Sequence, residues 1–439
     1  MIEVFQRPQE RVNADHVSCV LHPIFTAHFL LILIVAASIL LMLVRPRGIA
    51  EVYWVGGGAV LLLLLRLMPL KLAGQAVASG TDVYLFLTGM MLLSEVARDF
   101  GVFDWMASLA EQHADGSPVR LFTLVYLVGT LVTIFLSNDA TAVVLTPAVL
   151  AAVRKAKAEP LPYLFACALI ANAASFVLPI SNPANLVVFR GHMPALGHWL
   201  GSFALPSLVS IVSTYLVVRW CFRRELRTSL PVDRERTHLT GNGRLALAGI
   251  VVVALVLMVV SAMNIDLGLP TCICALVITA AIAVRARVNP LKIARGVSWG
   301  VLPLVAGLFI LMEAIVSVGA LRYTAAALAW AERLPAALGA LVIGTAVGLG
   351  NNVINNLPLG LIAGSTLHSA HVGGVIQNAV LIGVDLGPNL SVTGSLATIL
   401  WLIAMRREGM HVGFGTFLKV GVIAMPVALG LAMLSAALL

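Results

Sequence analysis

Two stretches of this 439-residue chain carry nearly the same pattern, separated by a constant 218 residues. Residues 82–110 reappear in outline at 300–328, and each copy leads into an apolar stretch that polar residues interrupt, at 135–147 and 350–360. The alignment pairs three sets of identical residues: Gly89 with Gly307, Glu95 with Glu313, and Gly101 with Gly319. Two similar halves with hydrophobic helices interrupted at corresponding places are typical of secondary transporters, whose solute site lies between the halves.

The composition indicates a membrane protein. Hydrophobic residues make up 60% of the chain and charged residues 11%, whereas a soluble domain has roughly 25% charged residues. The net charge of +8 comes from short basic runs between apolar segments, where the positive-inside rule places them. We therefore expect a multi-pass protein of the inner (cytoplasmic) cell membrane, with the lipid bilayer as its surroundings and no nucleic-acid partner.

Cysteine usage predicts neither a disulfide framework nor a metal site. The chain has five cysteines, and most lie in or beside apolar segments, where packing is their usual role. Cys272 and Cys274 form a C-x-C pair, but two soft ligands alone make a poor metal site. We expect no metal and no cofactor. The chain also lacks an H-E-x-x-H zinc motif and a P-loop, which disfavours an enzyme.

Apolar segments of spanning length, ~20 residues, predict an all-α integral membrane protein with about ten full crossings, two re-entrant hairpins and helices broken at the midplane. An odd number of crossings in each half makes the two halves inverted repeats. The predicted parts are an external N-terminal segment at 1–23, a first repeat at 24–222 with a hairpin at 120–153 and a broken helix at 161–190, a cytoplasmic linker at 223–242, and a second repeat at 243–439 with a hairpin at 335–366 and a broken helix at 374–405.

The breaks predict the solute site, because backbone groups that leave a helix inside a bilayer are tolerated only where protein or a water-filled cavity satisfies them. Asparagine, serine and threonine side chains at the breaks supply donors and acceptors. The candidate substrate-binding residues are Ser137, Asn138, Thr141, Asn182, Asn185, Asn352, Asn355, Asn356, Thr393 and Ser395. Such side chains also link membrane helices, so a purely structural role is the alternative for each of them.

Two aspartates in or beside the breaks, Asp139 and Asp385, are expected to carry protons, since an ionisable residue inside a membrane protein is a functional hypothesis by default. Glu95, Glu313 and Asn172 are assigned either secondary coupling or structural roles. No lysine or arginine lies near the centre of a broken segment. A cage of amides and hydroxyls without a cationic clamp suits a neutral polyhydroxy solute better than a dicarboxylate or sulfate.

Three motifs lie at the breaks: NDATAVVLTP at 138–147, NNLP at 355–358 and, most specifically, DLGPNLSVTGSLATILW at 385–401. They resemble the arsenite and antimonite permease family of the ion transporter superfamily, the arsenical pump membrane proteins. The resemblance extends over roughly residues 24–438. One position departs from it: Asn172 stands where members often have an acidic residue, so we expect proton coupling to rest mainly on Asp139 and Asp385.

The resemblance implies export of arsenite and antimonite, as their trihydroxides, in exchange for protons. It also implies a scaffold domain that supports a moving domain with both hairpins and, in some members, association with a cytosolic arsenite-stimulated ATPase. Carried onto this sequence, it assigns the site to Asn138, Asp139, Asn182, Asn185, Asn355, Asn356, Asp385 and Ser395. A cation/proton antiporter of the same superfamily, such as a Na⁺/H⁺ exchanger, is the alternative, because Asp139 with Asn138 and backbone carbonyls could hold Na⁺.

Overall fold

All regular elements of the described residues are helical. The structure is a computed structural model that describes residues 14–189, 193–228, 230–231, 238–370, 372 and 374–439. Its first-half helices are α1 (Ala14–Val44), α2 (Glu51–Leu64), α3 (Leu70–Ala78), α4 (Thr81–Asp99), α5 (Val102–His113), α6 (Pro118–Phe135), α7 (Asn138–Ala140), α8 (Thr146–Lys155), α9 (Leu161–Ala173), α10 (Pro183–Val188) and α11 (Leu196–Cys221).

The second half repeats this order of helices. They are α12 (Gly241–Ala262), α13 (Gly268–Ala286), α14 (Pro290–Gly296), α15 (Val301–Ser317), α16 (Leu321–Ala331), α17 (Ala336–Ile354), α18 (Asn356–Ala370), α19 (Gly374–Leu386), α20 (Leu396–Arg407) and α21 (Phe414–Ala436). Helices α13 to α18 and α21 begin 217 to 220 residues after α2 to α7 and α11, while α19 and α20 follow α9 and α10 at an offset of 213.

Each helix contact described here has an equivalent contact in which the two halves are interchanged. Helix α4 packs on α13, and its counterpart α15 packs on α2, which is the counterpart of α13. Likewise α1 packs on α2 as α12 packs on α13, and α5 packs on α8 as α16 packs on α18. The counterparts α11 and α21 pack on each other. A contact pattern that maps onto itself when the halves are swapped is that of a pseudo-two-fold arrangement.

Glycines that the sequence alignment pairs have equivalent surroundings. A Cβ at Gly89 would lie 2.7 Å from the carbonyl oxygen of Thr271 in α13, and one at Gly307 would lie 2.8 Å from Cγ1 of Val55 in α2. Both positions therefore allow close helix packing. Gly101 and Gly319, with φ of 72° and 79°, take left-handed backbone between corresponding helices, a conformation that glycine adopts at no steric cost.

The described part of the chain has seven helices long and apolar enough to cross a membrane, or nine if the bent pairs α3 with α4 and α14 with α15 each count as one span. Leucine and valine side chains stay exposed on these helices, for example Leu216 and Val252, as lipid-facing surfaces require. Helix α2, at 14 residues, is shorter than a usual span. The first arms of the expected hairpins, α6 and α17, are among the seven.

Several boundaries differ from the sequence-based expectation. Helix α1 begins at Ala14, within the segment expected to precede the first span. Residues 1–13 lie outside the described residues, as do 229 and 232–237 of the expected linker. The predicted division into two inverted repeats, about ten crossings and two hairpins remains a proposal, consistent with the exchange of packing partners.

The two close glycine contacts give a test of the packing. Gly89→Ala should lower the free energy of unfolding by about 1–3 kcal/mol, the usual cost of overpacking, because its Cβ would meet backbone. Gly307→Ala should cost less, since Val55 can turn its side chain. Gly57→Ala, in α2 with nothing within 4 Å of the added Cβ, is the control. Thermal unfolding in detergent measures all three; equal melting temperatures for Gly89→Ala and Gly57→Ala would contradict the close packing.

Candidate functional site

Both expected hairpins turn at residues with unusual backbone. Ser137 has φ 156° and ψ 165°, and Asn355, at the repeat-related position, has φ 74° and ψ 154°. Non-glycine residues rarely occupy this region, which costs about 1–3 kcal/mol and is found mainly at functional sites. The side chains stabilise the new helix starts: Ser137 Oγ accepts from Ala140 N at 3.3 Å, and Asn355 Oδ1 accepts from Leu357 N at 3.4 Å.

Two further helices are broken, at equivalent places. Nine residues lie between the end of α9 and the start of α10, and nine lie between the end of α19 and the start of α20. The residue before each second piece caps it: Asn182 Oδ1 accepts from Ala184 N at 3.0 Å, and Ser395 Oγ accepts from Thr398 N at 3.1 Å. These caps place Asn182 and Ser395 at the same position of the two halves.

The hairpin tips and the broken helices of both halves enclose a small central cavity of about 20 Å³. Four of the predicted site residues line it: Asn138, Asp139, Asn182 and Asn356. The remaining lining is apolar and consists of Leu87, Pro183, Val301, Val305, Leu357, Leu396 and Ala397. Both halves therefore contribute polar groups to one space, as the sequence led us to expect of a site between repeats.

Two oxygens at this cavity have no hydrogen-bond partner. Asn138 Oδ1 and Asn356 Oδ1 are both buried and unpaired, and the two residues are related by the 218-residue repeat. An unsatisfied buried acceptor costs about 1–3 kcal/mol, so a pair of them at equivalent positions is a feature to explain by function. They are acceptors, and a solute that donates hydrogen bonds would satisfy both.

A larger vestibule of about 80 Å³ adjoins the central cavity and shares Leu87, Asp139, Pro183 and Val301 with it. The vestibule also contains Glu95, which forms an ion pair with Arg98 on the same helix. Asp139 lines both spaces and therefore lies between the central cavity and the vestibule.

A second vestibule, of about 460 Å³, shares no lining residue with the central cavity. Its lining is repeat-related to that of the first: Glu313 corresponds to Glu95, Val316 to Arg98, and Leu361 to Val143. The two vestibules thus contain repeat-related residues, and the central cavity shares lining residues only with the one at Glu95.

Hydrogen bonds cross between the broken helices. Asn182 Nδ2 donates to Asp385 Oδ1 at 2.8 Å, and Ser395 Oγ donates to Asn172 Oδ1 at 3.4 Å. Asn172 Nδ2 also donates to Asn389 Oδ1 at 3.0 Å. The first two bonds each join the last turn of one half's helix to the cap residue of the other half. Asp385 is fully buried and lines neither the central cavity nor a vestibule.

The other predicted site residues hold backbone at the breaks. Asn185 Nδ2 donates to the carbonyl oxygens of Ser175, Leu178 and Pro179 at 2.9, 3.3 and 3.3 Å. Thr141 Oγ1 lies 2.8 Å from Thr133 Oγ1 within the first hairpin. These contacts place the groups around the cavity rather than in it.

In the second half, Asn352, Asn355 and Thr393 tie the hairpin to the 387–395 loop. Asn352 Nδ2 donates to Gly387 O at 3.0 Å, Asn355 Nδ2 to Thr393 O at 3.1 Å, and Thr393 Oγ1 to Asn352 O at 3.0 Å. Sequence reasoning missed Arg98, Asn389 and Thr398. Only Thr398 carried a local signal, because it lies three residues after a capping serine.

Together, the helical fold, the two repeat-related entrances and the cavity between the halves define a multi-pass membrane transporter rather than an enzyme. A family model described as citrate transporter (CitMHS) matches residues 30–384. The chain belongs to that family, within the ion transporter superfamily. The resemblance seen in the sequence motifs is confirmed by curated relatives that are arsenical pump membrane proteins.

Among those relatives, the arsenical pump membrane protein of Escherichia coli is 25% identical over 403 residues, covering 88% of this chain and 93% of the relative. The putative arsenical pump membrane protein of Bacillus subtilis (strain 168) is 23% identical over 418 residues, covering 87% and 93%. The crystal structure of the YdaH transporter of Alcanivorax borkumensis aligns with a TM-score of 0.55 and 16% identity, over 85% of this chain and 88% of that one. The latter likeness is one of fold.

Repeat-related vestibules of inverted halves should open on opposite sides of the membrane. In a cysteine-free background, Val143→Cys should react with a membrane-impermeant thiol reagent from the cytoplasmic side and Leu361→Cys from the external side. Labelling of intact cells compared with inverted vesicles measures this. Val252→Cys, on the exposed apolar face of α12, should react from neither side. Labelling of both vestibules from one side would contradict the inverted arrangement.

Proposed function

We propose that this chain exports arsenite and antimonite from the cytoplasm, across the inner membrane, in exchange for protons. The observation that carries the proposal is the pair of unpaired acceptors, Asn138 Oδ1 and Asn356 Oδ1, at one cavity. Arsenite at neutral pH is the uncharged trihydroxide, with three hydroxyl donors around one atom. Such a solute can donate to both amide oxygens at once and to Asp139 as well, which lines the same cavity.

The charge of the cavity supports a neutral solute. No lysine or arginine is present among the residues that line the central cavity. Arg98 in the vestibule is already paired with Glu95. A citrate-like tricarboxylate would need cationic partners, for which arginine is the residue of choice. The names of the arsenical pump relatives agree with this choice of solute, whereas the family's general description does not fix it.

Proton exchange is assigned to Asp139. Its carboxylate lies at the junction of the central cavity and the connected vestibule, so proton and solute would compete for the same place. When the vestibule at Glu95 faces the cytoplasm, deprotonated Asp139 accepts a hydrogen bond from a hydroxyl group of the solute. After the halves exchange access, an external proton neutralises Asp139 and the solute leaves. When access returns to the cytoplasm, Asp139 releases that proton there and is ready for the next solute.

Arsenite accumulation in inverted membrane vesicles tests this function. Wild-type protein should accumulate arsenite when the vesicle interior is acidic, and collapse of the gradient should stop accumulation. Asp139→Asn should abolish the gradient-driven part while leaving a folded protein. Asp266→Asn, which alters an exposed aspartate outside the described cavities, is the matched control and should behave as wild type.

Two results would count against the proposal. Undiminished gradient-driven accumulation by Asp139→Asn would remove its coupling role. No accumulation by a folded wild type, together with proton movement that depends on added Na⁺ or another cation, would favour the cation/proton antiporter.

The acceptor pair makes a separate prediction about affinity. Asn138→Ala and Asn356→Ala should each raise the KM for arsenite about tenfold, which corresponds to about 1.4 kcal/mol, with a smaller change in maximal rate. Initial rates over a range of arsenite concentrations measure this. Asn264→Ala, at an exposed position, is the control. Unchanged KM in both cavity variants would place the solute elsewhere.

A further inference from the structure

We propose that Asp385 is a positioning residue, the repeat counterpart of Asn172, which holds Asn182 at the central cavity while Asp139 alone carries the coupling proton. The inference rests on the proposed function for what is transported. It assigns different roles to two aspartates that the sequence presents as equivalent.

The equivalence of Asp385 and Asn172 follows from the helix ends. Asn172 is the penultimate residue of α9, and Asp385 is the penultimate residue of α19. The partners are equivalent too, since Asn182 caps α10 and Ser395 caps α20. The two crossing hydrogen bonds, at 2.8 and 3.4 Å, are therefore related by the pseudo-two-fold. In one of the pairs an amide performs the same task as the carboxyl group.

The surroundings of Asp385 suit a neutral hydrogen-bonding group. The described residues place no lysine, arginine or histidine within ion-pair distance of it, and its Oδ2 has no hydrogen-bond partner. The polar groups beside it are the Asn182 amide and the hydroxyl of Ser175, which itself donates to Asn172 O at 2.7 Å. An ionised carboxylate here would be a buried charge without compensation, which is strongly destabilising.

Position separates the two aspartates as well. Asp139 is partly exposed and lines both the central cavity and the connected vestibule, so water can reach it. Asp385 has 0% exposure and is joined to the cavity lining by its hydrogen bond with Asn182, whose other amide atom, Oδ1, caps α10 at Ala184. Loss of the Asp385 bond would free Asn182 to rotate away from the cavity.

A comparison of Asp385→Asn with Asp385→Ala tests this role. Asp385→Asn, which can accept the same bond, should retain gradient-driven arsenite accumulation within about twofold of wild type and the wild-type pH profile of transport. Asp385→Ala should raise the KM for arsenite as much as Asn182→Ala does, with little change in maximal rate. The double variant Asp385→Ala/Asn182→Ala should be no worse than either single variant, because both remove one interaction.

The exchange variant Asn172→Asp/Asp385→Asn is a second test. It swaps the carboxyl and the amide between the two equivalent positions and so keeps one of each. It should transport with the wild-type pH profile. Loss of gradient dependence in Asp385→Asn, of the kind expected for Asp139→Asn, would make Asp385 a proton carrier and overturn the inference. Additive effects in the double variant would also overturn it.

Thermal unfolding in detergent keeps the inference testable without transport. The melting temperatures of the wild type, Asp385→Ala, Asn182→Ala and the double variant should show coupling between the two residues, and Asp385→Asn should melt close to wild type. If wild type moves no arsenite but this coupling is present, the proposed function fails and the positioning role stands. If wild type transports and the coupling is absent, only the positioning role fails.

Discussion

The structure depends on how backbone groups are satisfied where membrane helices break. Inside a bilayer there is no water to replace a lost helix hydrogen bond, and each unpaired group costs several kcal/mol. Asparagine solves this problem in the present chain because its amide carries two donors. Asn351 Nδ2 donates to the carbonyl oxygens of both Gly383 and Val384, at 2.8 and 2.9 Å, and Asn185 serves three carbonyls in the other half.

This requirement divides the asparagines into two kinds. Those that face carbonyl groups, such as Asn185 and Asn352, donate hydrogen bonds to the backbone at the breaks and so hold the segments around the cavity in place. Asn138 and Asn356 begin new helices at the two hairpin tips and keep their side-chain oxygens unpaired at the cavity. Asn185 Oδ1 and Asn351 Oδ1 are unpaired as well, but neither residue lines the central cavity.

The sequence predicted a good part of this arrangement. The 218-residue repeat placed the breaks within a few residues, because equivalent glycines and equivalent polar interruptions occur in both halves. Sequence could not separate Asn138, which lines the cavity, from Asn352, which clamps a loop, since both are asparagines beside a break. Nor could it distinguish Asp139 from Asp385, because exposure to the cavity depends on which helices cross. Helices α9 and α19 are offset by 213 residues, which makes Asn172 the repeat counterpart of Asp385. This offset depends on loop lengths, and the loop sequences do not reveal it.

The two halves have similar helix packing, but their vestibules differ. Glu95 is paired with Arg98 in the vestibule that shares lining residues with the central cavity, whereas Val316 takes the position of Arg98 beside Glu313 in the vestibule that shares none. In transporters built from inverted repeats, access to a central site alternates when the two related halves exchange conformations. The cavity itself lies where residues of both halves meet, so it can stay in place while access changes. The asymmetry of the entrances is therefore what a transporter built from two related halves requires at any one moment.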